Sequence, residues 1–181
     1  MRKLAVRMTR AGESHDASGL NKFMKTEILR HVRPFVLHEE EEGCDALLIK
    51  ANEFLDKFAW AKDRKNLWVA DCFPGVLGIF LAELAPQGQQ IDQYIWVVVG
   101  DLPPAYLSSQ YAKSPRDALD GYMGEMLAWV EAVESGQPTD DLIPNDGAPT
   151  PANARALRTR LEFLGREILP HLPGDEDSAQ S

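Results

Sequence analysis

Asp71 and Asp101 close two apolar runs, LWVADC and YIWVVVG, and Tyr106 follows the second in GDLPPAY. Two carboxylates can divide acid and base work when their environments separate their proton affinities, and a tyrosine beside them can hold or pass a proton. Asp71, Asp101 and Tyr106 are therefore the residues from which a small enzyme's site would be built. An aspartate that follows glycine at a strand end commonly hydrogen-bonds its own turn, and Pro103-Pro104 stiffens what comes next. The turn reading of Asp101 is preferred, and no residue is assigned as catalytic.

Other chemistries lack their residues. His15, His31, His38 and His171 show no HxxxH or HExxH spacing, Cys44 and Cys72 form no CxxC, and no metal site or cofactor is expected. There is no GxSxG elbow, and Gly75 and Gly78 flank a turn without the GK[ST] of a phosphate loop. The two cysteines stand alone in apolar contexts, where a free thiol packs as a small hydrophobe. That reading expects no disulfide framework and a reducing cytoplasm.

Charge narrows the partners. The net charge of −9 is unevenly spread: residues 1–34 hold eight basic and three acidic residues, whereas residues 35–100 sum to −6 and residues 101–181 to −8. An acidic body repels phosphate backbones and attracts a basic protein surface, so nucleic acid is not expected as a partner. No apolar run approaches the ~18 residues that span a bilayer, and no membrane partner is expected. Glu39, Glu40, Glu41 and Glu42 read as a solvated first turn, and they also rank as candidate partner contacts. Aromatic residues supply anchors if exposed, and Trp60, Trp129 and Tyr111 are the candidates, with Asp101 and Tyr106 at the strand exit.

The elements that must position these residues are α+β. LNKFMKTEILRHV has helical spacing up to Pro34, and CDALLIKANEFLDKF carries Leu47, Leu48, Ala51, Phe54, Leu55 and Phe58 on one face. Strands are expected near 67–72, 76–84 and 93–100. Their short connections without a helix predict an antiparallel meander of three or more strands packed against helices. Ser114-Pro115 and Thr150-Pro151 each offer a capping hydroxyl followed by proline, and they start helices near 116–134 and 151–169. Residues 1–19 read as a flexible basic segment, 20–172 as one domain and 173–181 as a disordered acidic tail.

WVVVGDLPPAYL, SPRDALDGYMGEMLAWVEAV and DDLIP, followed by the helix that starts at Thr150-Pro151, carry a resemblance over residues 94–169. The segment resembles a bacterial domain family of uncharacterised function, with Trp96, Gly100, Asp101, Leu102, Pro103 and Tyr106 at the signature positions. The resemblance implies a small bacterial protein whose relatives look like immunity or accessory proteins. Together with the acidic body, it favours an interaction protein, specifically an immunity protein that occupies a toxin's basic surface. The alternative is an enzyme built on Asp71, Asp101 and Tyr106, and a deep pocket holding these three would favour it.

Overall fold

Two segments free of any helical stripe, LGIFLAEL and YIWVVVG, form the centre of a sheet. The computed structural model describes residues 25–35, 42–85, 92–143 and 148–174. In order the elements are β1 (Arg33–Pro34), α1 (Cys44–Leu55), β2 (Arg64–Phe73), β3 (Leu77–Leu84), β4 (Tyr94–Gly100), β5 (Ala105–Ser108), α2 (Pro115–Ser135) and α3 (Pro151–Phe163). The five strands lie in the order β1-β2-β3-β4-β5 and every neighbouring pair is antiparallel. The α+β class and the meander are as expected, with two short strands added at its edges. The extra edge strand β5 comes from AYLS, which follows two prolines and has only four residues, too few for alternation to show in the sequence.

Every residue of β3 is buried, and so are six of the seven in β4, so both faces of the sheet must be covered. The period of two divides them cleanly. Leu77, Ile79 and Leu81 with Tyr94, Trp96 and Val98 face the layer built from α2 and α3, where Leu119, Tyr122, Met126, Trp129, Val130, Leu157 and Leu161 are buried. Phe80, Ala82 and Leu84 with Ile95, Val97 and Val99 face α1, which buries Leu47, Ala51 and Leu55. Residues 25–29 are helical, and their Ile28 joins the α2/α3 side.

Local chemistry sets the ends of the long helices. The Ser114 hydroxyl accepts from the Asp117 N–H at 3.1 Å and the Asp117 carboxylate accepts from the Ser114 N–H at 3.1 Å, a reciprocal capping box with Pro115 at the first helical position. Gly136 closes α2 in the left-handed region at φ 67°, which a side chain would resist. Thr150 accepts from the Asn153 N–H at 3.2 Å and starts α3. A π-helical turn at Leu164–Ile168 follows α3, and a 3-10 turn at Leu169–His171 accommodates Pro170.

Gly100 is needed for closeness. A Cβ placed there would stand 2.1 Å from the Val76 carbonyl oxygen, because the β2–β3 turn presses on the end of β4. Gly100→Ala is expected to lower stability by about 2 kcal/mol or more, since backbone has to move. Denaturant unfolding checks this, and an unchanged midpoint would show that the two turns do not touch.

Candidate functional site

The strand exit is tied down from both faces of the sheet. The Asp101 N–H donates to the Val76 carbonyl at 3.1 Å. The Asp101 carboxylate forms an ion pair with Arg160 of α3, and the same Arg160 nitrogen donates to the Asp101 carbonyl at 2.7 Å. From α2, the buried Tyr122 hydroxyl donates to the Pro103 carbonyl at 2.8 Å. From α1, Lys50 Nζ donates to the Gly100 carbonyl at 3.3 Å. Asp101 thus does hold the exit, by a tie to a helix 59 residues away and not through its own turn.

A shallow cavity of about 180 Å³ lies beside this exit, lined by Lys50, Glu53, Phe54 and Lys57 of the α1 region and by Val99, Gly100, Leu102 and Pro104. Asp71, Asp101 and Tyr106 are absent from its wall. Asp71 pairs with Ile79, which places it on the α2/α3 side, whereas Tyr106 pairs with Val97 on the α1 side. The sheet itself stands between them. The Asp71 carboxylate accepts from the Cys72 N–H at 2.8 Å, a local turn-like bond. The geometry needed for a shared acid–base site is therefore missing from these three residues.

Tyr106 belongs to an aromatic cluster. Its ring centroid lies 5.0 Å from that of Trp60 and 5.4 Å from that of Phe58, both edge to face, while Phe54 meets Phe58 at 5.2 Å. Such contacts add to burial by about 0.5–1.5 kcal/mol per pair. Burial also raises the Tyr106 phenol above its ordinary range. Trp60 is half-buried in this cluster. Trp129 lies at 3% exposure in the core between α2 and the sheet and is not available as a surface anchor, because the α2 stripe brings it inward with Met126 and Val130. Tyr111 is 63% exposed just ahead of the α2 cap. Glu42 is exposed in the turn before α1, while Glu39, Glu40 and Glu41 lie outside the described residues.

Two features escaped the sequence reading. Glu83 is a carboxylate buried to 7% exposure in the otherwise apolar β3, accepting from Asn66 Nδ2 at 2.7 Å and from the Gln93 amide and Tyr94 hydroxyl at 3.4 Å. Its lone charge inside an apolar run was the signal. Burial and the adjacent Glu83 carboxylate push the Tyr94 phenol up to about 12. The second feature corrects an expectation: Cys44 and Cys72 are joined in a disulfide, with Cα atoms 6.1 Å apart. Their 28-residue separation hid this, because only the packing of α1 on β2 brings them together.

Among the described residues no group of three or more His, Cys, Asp or Glu side chains is placed to hold a metal ion, and no helix is long and apolar enough to cross a membrane. No family model, no curated protein and no solved structure matches this chain.

Two expectations follow from this geometry. The Asp101–Arg160 pair is exposed, so a double-mutant cycle with Asp101→Ala and Arg160→Ala should give a coupling below about 1 kcal/mol that vanishes at high salt. Zero coupling at low salt would remove the tie. In alkaline solution the folded protein holds the Tyr94 proton to about pH 12, whereas in the unfolded chain a tyrosine releases it near 10. Stability should therefore fall as pH rises from about 10 towards 12. Phenolate absorbance should show Tyr94 ionising late, and its loss from the late phase in Tyr94→Phe checks the assignment.

Proposed function

We propose that the protein is an interaction protein that engages a basic protein surface, specifically as an immunity protein that covers a toxin's basic substrate site. The observation that carries this reading is the outer face of α2. From Asp117 to Ser135 the helix has five carboxylates and no basic residue, and Asp120, Glu125, Glu131 and Glu134 are exposed. Glu134 is held by Arg158 of α3 at 2.6 Å, whereas Asp120 and Glu125 make no ion pair among the described residues. Gly121 and Gly124 are exposed on the same helix, and a Cβ at Gly124 would meet nothing within 4 Å. They leave low relief between the carboxylates, which lets a partner's backbone come close. Tyr111 supplies an exposed aromatic anchor ahead of the helix, since charge steers encounter while affinity needs a desolvated contact.

The likeness of WVVVGDLPPAYL to a bacterial family with immunity-like relatives is an expectation from the sequence that no family model matches, so the reading rests on the face of α2. The enzyme alternative loses its ground, because Asp71 and Tyr106 lie on opposite sheet faces. The expectation of a reducing cytoplasm rests on unpaired cysteines, and the Cys44–Cys72 bond removes that reason.

The test uses immobilised wild type beside Asp120→Lys/Glu125→Lys and Tyr111→Ala, with extract of the source cells. A protein retained by wild type, released near 1 M salt where the Debye length is about 3 Å, and lost at least tenfold with either variant is the expected result. Retention that is indifferent to salt and to both variants, or tight binding of DNA or RNA, would overturn the proposal.

A further inference from the structure

We propose that Cys44–Cys72 is a thiol–disulfide exchange site, at which a dithiol reductant frees the N-terminal end of α1 from the sheet. The bond joins the first residue of α1 to the penultimate residue of β2. Among the described residues, α1 is the one α-helix on its face of the sheet. Its two ends are held differently. At the C-terminal end, Arg64 of β2 donates to Asn52 and to Asp56, each at 2.8 Å. At the N-terminal end the capping position is Gly43, at φ 98° and without a side-chain cap, and the disulfide is the strong tie. Lys50 adds only a long, exposed hydrogen bond to Gly100. Breaking the disulfide leaves the C-terminal end of the helix fastened by Arg64 and the Cys44 end held by the burial of Leu47 alone, so that this end is the one to lift and uncover the sheet.

The direction of attack follows from position. Cys44 is 1% exposed, whereas Cys72 is half-buried, so Cys72 is the more open residue and the proposed point of attack. Attack there breaks the Sγ–Sγ bond and expels the Cys44 thiolate, which sits at the positive N-terminal end of a 12-residue helix. A stabilised thiolate is the better leaving group. Asp45 in the first turn opposes that charge, so the helix terminus acts against one adjacent carboxylate, while Asp71 belongs to the other face of the sheet. The reductant's second thiol then displaces the Cys72 thiolate from the mixed disulfide. Two electrons pass from the dithiol to the protein, the dithiol leaves as its own disulfide, and each cysteine takes up a proton.

Hydrogen exchange on the full chain, with and without dithiothreitol, tests the proposal. On reduction the amides of residues 47–51 should exchange at least tenfold faster, residues 119–130 of α2 should be unchanged, and reoxidation should restore protection. Unchanged protection in α1 would overturn the proposal, and so would a joint loss across α1 and α2, which would make the bond a staple for the whole fold. Cys72→Ser without reductant should match reduced wild type; protection equal to the oxidised protein would also overturn it. A brief pulse of glutathione, quenched with acid, should leave the adduct on Cys72, and an adduct on Cys44 would overturn the assigned direction.

Discussion

β3 and β4 are apolar on both sides, and most of the architecture follows from that. A strand pair with one polar face can leave it in water, but Phe80, Val97 and Val99 cannot be left so while Ile79, Trp96 and Val98 are buried opposite. At about 25 cal/mol per Å² of apolar surface, each large side chain returned to solvent costs on the order of 2 kcal/mol. Two covers are required, and they are built unequally. The α2/α3 side is broad, closed by two long capped helices, by Ile28 and by Ile143. The α1 side rests on one helix of 12 residues, continued by the ring cluster of Phe54, Phe58, Trp60 and Tyr106.

The unequal covers meet at the strand exit. Residues 100–104 receive Lys50 from one side and Tyr122 and Arg160 from the other, and the β2–β3 turn closes on Gly100. A stretch with the look of an active-site rim is in this way a junction where three helices are fastened to the sheet. Glycine is demanded by the approach of the Val76 carbonyl, and Asp101 by the guanidinium of Arg160. The surface proposed to meet a partner lies elsewhere, on the outer face of α2.

Much of this was legible in the sequence where chemistry is local. Ser114-Pro115-Arg116-Asp117 states its own cap, Gly136 its own helix end, and the change from helical spacing to continuous apolar runs marks the sheet. What escaped reading depends on distant partners. Asp101 looked like a turn residue because Arg160 is far along the chain, and Cys44 and Cys72 looked solitary because 28 residues separate them. Trp129 ranks as a candidate anchor by residue type, although its spacing of three from Met126 already places it on the buried stripe. Asp71 and Tyr106 invited pairing until the strand register put them on opposite faces, which one residue of slip would reverse.

The two-sided sheet is the central claim, and methyl and aromatic proton contacts measured by NMR test it most directly. Leu47 and Leu55 of α1 should show contacts to Phe80 and Val97 and none to Trp96, while Tyr122 and Met126 of α2 should show contacts to Trp96 and none to Val97. Contacts from both helices to the same strand residues would place α1 and α2 on one face and contradict the account.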